Sequence, residues 1–107
     1  MEKRRPHYPL TLIKERILQG DYRVTRTALA CAIRDFGYTE SSQVAAWILR
    51  LDPSDFYKSM TSIHDARLWQ DVYRPLISER PAYVKVQIAD EQTIIISLKL
   101  SEEVSNA

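Results

Sequence analysis

The hydrophobic period of this chain changes once, at Asp52-Pro53-Ser54-Asp55. Before that point apolar residues recur three and four apart, the spacing of helices with one buried face. After it they alternate, the spacing of strands with one buried face. A chain that places helices first and strands second, with short connections, is expected to be α+β. The expected form is N-terminal helices packed on one face of a C-terminal antiparallel sheet. At 107 residues there is material for one core, so residues 1–107 read as a single domain, with the polar residues 101–107 as a flexible tail.

The helices have marked ends. Leu10, Ile13 and Ile17 form one stripe, and Gly20 follows as a stop. Thr25 is placed to cap a second helix with its hydroxyl, Val24 and Leu29 have the spacing of a hydrophobic staple, and Gly37 ends it. Its buried stripe reads Ala28, Leu29, Ala32, Ile33 and Phe36. A third helix runs from about Ser42 to Arg50, with Val44, Trp47, Ile48 and Leu51 inward. Asp52-Pro53 then suits a capped turn.

Four strands follow. Phe56–Thr61 divides into Phe56, Lys58 and Met60 on one face against Tyr57, Ser59 and Thr61. Leu68–Arg74 divides into Leu68, Gln70, Val72 and Arg74 against Trp69, Asp71 and Tyr73. Ala82–Ala89 turns Ala82, Val84, Val86 and Ile88 to the core and Tyr83, Lys85 and Gln87 outward. A short loop at Asp90-Glu91-Gln92 leads to a β-branched strand, Thr93–Leu100.

Composition removes several functions. The net charge of +1 argues superficially against a nucleic-acid partner. The distribution reverses this: seven Lys or Arg face three Asp or Glu in residues 1–26, and one faces four after residue 88. Local potential, not the sum, governs binding. No apolar run approaches the ~20 residues of a membrane span, and no signal-peptide core follows the charged start, so a cytoplasmic location is expected. The two glycines form no phosphate-binding loop. His7, His64 and the lone Cys31 lack metal-ligand spacing, so neither metal nor cofactor is expected. Cys31, amid a helix beside Ala28 and Ala32, reads as a small packed thiol.

If helices cover one sheet face, the other carries Lys58, Gln70, Tyr83, Lys85 and Gln87, with Arg67, Arg74 and Lys99 available. Cations neutralise phosphate, and aromatic rings stack on unpaired bases, so such a face suits RNA. It also suits an ordinary solvated sheet face with cross-strand pairs, and composition alone favours that plainer reading.

Three stretches narrow the choice: Met1-Glu2-Lys3-Arg4 with Pro6-His7, then Ser54-Asp55-Phe56-Tyr57-Lys58-Ser59-Met60-Thr61, then Trp69-Gln70-Asp71-Val72-Tyr73-Arg74-Pro75. In sequence and spacing they closely resemble the MqsR family of toxins. The resemblance covers most of the chain and departs most between Ala30 and Leu51. It implies a compact fold like the RelE-type bacterial ribonucleases. It further implies a metal-independent endoribonuclease of a type II toxin–antitoxin system, cutting mRNA at short GC-containing triplets such as GCU and halting growth. The implied partner is an MqsA-like antitoxin with a zinc-binding N-terminal domain and a DNA-binding C-terminal domain; promoter DNA is reached only through that complex. Carried over by motif, Lys58, Gln70 and Tyr83 are the catalytic candidates. Met60, Arg74, Lys85, Lys99 and His7 are the RNA-binding or supporting candidates. The rival readings are a non-catalytic RNA- or protein-binding regulator using the same face, and a ribosome-dependent ribonuclease.

Overall fold

A computed structural model describes residues 1–101. It contains three helices and one main sheet. In chain order the elements are β1 (Glu2–Lys3), α1 (Leu10–Leu18), β2 (Tyr22–Val24), α2 (Arg26–Phe36), α3 (Ser41–Ile48), a single 3₁₀ turn (Pro53–Asp55), β3 (Phe56–Thr61), β4 (Trp69–Tyr73), β5 (Leu76–Ile77), β6 (Arg80–Ala89) and β7 (Gln92–Leu100). The sheet runs β1-β3-β4-β6-β7-β2, and β5 pairs with β6 off that path. The fold is therefore α+β, as expected. The pairing is antiparallel except at one edge, where β2 lies parallel to β7. None of the described helices is long and apolar enough to cross a membrane.

The helix ends follow from their residues. The Thr25 hydroxyl accepts the Ala28 N–H at 3.1 Å, and α2 closes on Gly37 at φ +72°, a left-handed conformation that glycine takes at little cost. Asp52 caps the 3₁₀ turn by accepting the Ser54 N–H at 2.9 Å, with Pro53 as first residue. Ile13, Ile17, Ala28, Ala32, Val44, Ala45, Trp47 and Ile48 from the helices meet Tyr73, Ala82, Val84, Val86, Ile95 and Leu98 from the sheet in one core. Each fully buried large aliphatic residue contributes about 1.5–3 kcal/mol. The alanines of α2 let that helix approach β7 closely. Ile33, expected in the buried stripe, is instead exposed at 44%, because the apolar face of α2 is narrower than its sequence suggests.

Two irregularities matter for the site. Phe56 pairs with Tyr73 and Lys58 with Val72, so Tyr57 is an extra residue, a β-bulge in β3. Phe56 consequently turns to the core, where its ring packs edge-on against Tyr73. This corrects the expectation that Phe56 shares a face with Lys58. A second bulge leaves Ile96 without a Cα partner between Ser97↔Lys85 and Ile95↔Val86.

The chain start is also fixed. β1 pairs antiparallel with β3, Glu2 opposite Met60 and Lys3 opposite Ser59. The segment that follows crosses the sheet edge to reach α1. There the fully buried Asp71 carboxylate accepts the His7 N–H at 3.1 and 3.0 Å and the Tyr8 N–H at 2.9 Å. The Tyr8 hydroxyl donates to the Trp69 carbonyl at 2.8 Å. Asp71 thus serves the chain start.

Candidate active site on the open sheet face

The face away from the helices is a grid set by register. Lys58 lies opposite Val72, Val72 opposite Lys85, and Lys85 opposite Ser97. Met60 lies opposite Gln70 in the neighbouring row. Tyr83 lies opposite Lys99. With strands about 4.8 Å apart, Lys58, Met60, Gln70, Tyr83, Lys85 and Lys99 come together on one surface. Arg74 joins them, its guanidinium 4.7 Å from the centre of the Tyr57 ring.

His7 is not on this surface. Its ring stacks on Trp69, 5.3 Å between centroids at 17°, and its Nδ1 lies 2.8 Å from the Lys3 ammonium. Lys3 in turn sits 4.2 Å above the Trp69 ring. Trp69, Asp71 and Tyr73 alternate with Gln70 and Val72, so this stack occupies the helix side of the sheet. His64 lies in the exposed turn after β3.

Tyr83 stands between two cations, Lys85 at 5.8 Å and Lys99 at 5.4 Å from its ring centre. Burial holds its hydroxyl above the usual phenol range, and nearby Lys58 only partly offsets this. The phenol is therefore protonated at neutral pH and serves as a hydrogen-bond or proton donor. Burial, then Lys99 and Lys58, push the Lys85 ammonium below the usual lysine value. Gln70 is only 8% exposed, and its amide nitrogen donates to Gln87 Oε1 at 3.0 Å. That bond locks Gln70 in place.

Lys58 makes a direct ion pair with Glu2. This hydrogen bond raises the Lys58 ammonium above its ordinary value and lowers the Glu2 carboxyl below its own. Tyr57, pushed outward by the bulge, lies near Lys58, Arg74 and Arg4, at 5.5, 4.7 and 5.6 Å from its ring centre. Sequence reasoning missed both Glu2 and Tyr57 as members of this surface. A two-residue strand carries no period, and simple alternation assigns Tyr57 to the opposite face.

Among the described residues no group of three or more His, Cys, Asp or Glu side chains is placed to hold a metal ion. Chemically, the face presents cations for phosphate, a protonated phenol, a fixed amide and one carboxylate against a lysine.

The sequence matches, over residues 5–100, the family model described as motility quorum-sensing regulator, toxin of MqsA. It is also 39% identical over 99 residues to the mRNA interferase toxin MqsR of Escherichia coli (strain K12), a match covering 92% of this chain and 98% of that relative.

Proposed function

This chain belongs to the MqsR family of toxins, and from that premise we propose that it is an mRNA interferase whose active site is the open sheet face. Cleavage of mRNA at short GC-containing triplets arrests growth. A cognate antitoxin of the MqsA type, with a zinc-binding N-terminal domain and a DNA-binding C-terminal domain, neutralises it. Promoter DNA is met only through that complex, and the site of action is the cytoplasm.

The observation that best supports this reading is the convergence of Lys58, Tyr83, Lys85 and Lys99 on one face, with the fixed Gln70 amide in the row on the other side of Lys58 and Lys85 from Tyr83. The reaction is attack of an RNA 2′-hydroxyl on its own 3′-phosphate. The nucleophile is supplied by the substrate, so the protein must position it, move protons and stabilise charge. Lys58 donates to the non-bridging oxygens as negative charge grows on the phosphorane. Tyr83, protonated at neutral pH, gives a proton to the departing 5′-oxygen. Lys85, Lys99 and Arg74 hold the flanking phosphates. Met60 packs against a base, and Gln70 orients the phosphate or a base edge.

The test is incubation of purified protein with a defined naked mRNA in EDTA, followed by analysis of the product ends. Cleavage leaving 2′,3′-cyclic phosphate and 5′-hydroxyl termini is expected. Bound but intact RNA would make the protein a non-catalytic regulator. Cutting only after ribosomes are added would make it a ribosome-dependent enzyme.

A further inference from the structure

We infer that Glu2 is the general base of the reaction, the group that takes the proton from the attacking 2′-hydroxyl. The inference rests on the ribonuclease reading above and adds the proton acceptor that reading leaves open.

Register places it. Glu2 lies opposite Met60 on the edge strand, so its side chain shares the open face with Met60 and Lys58. The next residue, Lys3, points to the other side, against Trp69 and His7. The carboxylate reaches Lys58 directly, and its side chain is 52% exposed, so solvent and substrate can both reach it. The buried Asp71 carboxylate fixes the chain just beyond, at His7 and Tyr8. Pairing of the Thr61 N–H with the Met1 carbonyl at 2.9 Å fixes it just before. A side chain held from both ends satisfies the positioning that general-base catalysis requires.

The other groups of this face do not fill the role. Tyr83 is held protonated, and Gln70 and Met60 have no basicity. His7 lies on the opposite side, and His64 in an exposed turn. Lys85, depressed by burial and by Lys99 and Lys58, would act as a base only in its neutral form, giving a rate that climbs through neutral and alkaline pH. Glu2 faces Lys58, Arg4 and the Met1 ammonium, and these three cations keep it ionised.

Substrate binding makes this carboxylate a better base. A phosphodiester seated on Lys58 takes the hydrogen bond that Lys58 gives Glu2. Glu2 then loses a cation and gains an anionic neighbour, and both changes raise its proton affinity. The 2′-oxygen of the attacking sugar lies within about 3–3.5 Å of the phosphorus in a reactive geometry, so a carboxylate one hydrogen bond from the phosphate-binding ammonium can reach the 2′-hydroxyl. The proton passes to Glu2 as the 2′-oxygen–phosphorus bond forms. The phosphorus–5′-oxygen bond breaks, and the leaving oxygen takes the Tyr83 proton. Solvent then returns the proton from Glu2 to the tyrosinate.

The experiment compares wild type, Glu2→Gln, Glu2→Asp and Glu2→Ala on one short RNA under steady-state conditions, with folding checked by circular dichroism. Glu2→Gln is expected to lower kcat about 100-fold or more while moving KM less than about threefold, and to abolish the fall in kcat at acid pH. Glu2→Asp should retain more activity than Glu2→Gln. Added formate should restore cleavage to Glu2→Ala and leave Lys58→Ala unrescued. A Glu2→Gln kcat within threefold of wild type would overturn the inference. So would a lower KM at unchanged kcat, which would make Glu2 only a competitor for Lys58, or a Glu2→Ala defect that formate leaves untouched. All of these outcomes require a wild type that cuts; wild-type protein that leaves the RNA intact refutes the ribonuclease reading itself.

Discussion

Replacing Asp71 with Asn tests how the sheet captures the start of the chain. The carboxylate is fully buried and accepts two backbone donors, the His7 N–H shared between both oxygens at 3.1 and 3.0 Å and the Tyr8 N–H at 2.9 Å. A hydrogen bond to a charged group contributes about 1.5–3 kcal/mol. Asparagine keeps one carbonyl oxygen and sets an amide N–H₂ where the other oxygen stood, facing a donor. The variant therefore keeps roughly one bond and loses roughly one. The freed N–H groups can reach water by lifting the arm, which limits the loss to about 2 kcal/mol. For a domain of this size that is a fall in Tm of roughly 8 °C or more. Urea denaturation should show a lower midpoint at an unchanged slope, and hydrogen exchange should show faster exchange at the His7 and Tyr8 amides with the β6–β7 amides unchanged at short times. Because the same arm carries Glu2 to Lys58, RNA cleavage should fall with it. A stability change below about 0.5 kcal/mol with unchanged protection at Tyr8 would refute the assignment of Asp71 as the anchor.

Lys85→Met should stabilise the protein slightly and weaken RNA binding, since it removes a half-buried cation that Lys99 and Lys58 repel; about 0.5 kcal/mol is expected after allowance for solvent screening. The unfolded lysine keeps its proton to higher pH than the folded one, so wild-type stability rises with pH between the lowered value and the ordinary one near ~10.4; Lys85→Met should remove that rise in an alkaline denaturation series. Five cations on or beside the face, Arg4, Lys58, Arg74, Lys85 and Lys99, set an upper slope of about −3.5 for log affinity against log salt on single-stranded RNA. Fluorescence titrations giving a slope near −6 would place the RNA on a wider surface. At the β6–β7 turn, Asp90 and Glu91 take φ of +52° and +62°, a two-residue geometry that favours glycine at its second position; Glu91→Gly should raise stability by about 0.5–1 kcal/mol and leave cleavage unchanged.

The parts of the fold legible in the sequence are those whose signal is local. α2 could be bounded from Thr25 and Gly37 because a cap and a left-handed stop are written in single residues. β6 could be oriented because Ala82, Val84 and Val86 repeat a period long enough to recognise. That orientation alone places Tyr83 and Lys85 on the open face, and pairing then brings Gln70, Met60 and Lys58 beside them. β1, β2 and β5 were not legible: two or three residues carry no period, and they are strands only because a partner edge accepts their backbone groups. The same reason hid Glu2, whose side of the sheet follows from its register with Met60 and from nothing in its neighbours. The bulge at Tyr57 inverted two more residues, Phe56 and Tyr57, since a single inserted position exchanges the faces on either side of it. His7 was grouped with the RNA face by its motif, and the structure sets it against Trp69 across the sheet. The chemistry of the face was readable as cationic and aromatic, but the family motifs, not the alternation, singled out Lys58 within it.

The most direct measurement of the central claim is single-turnover cleavage of one defined naked RNA, in EDTA, by wild type and by Lys58→Ala and Tyr83→Phe proteins shown to be folded. The account predicts rapid cutting by wild type, and a loss on the order of 100-fold or more for Lys58→Ala with a clear loss for Tyr83→Phe. Wild-type rates in the folded Lys58→Ala protein would contradict it.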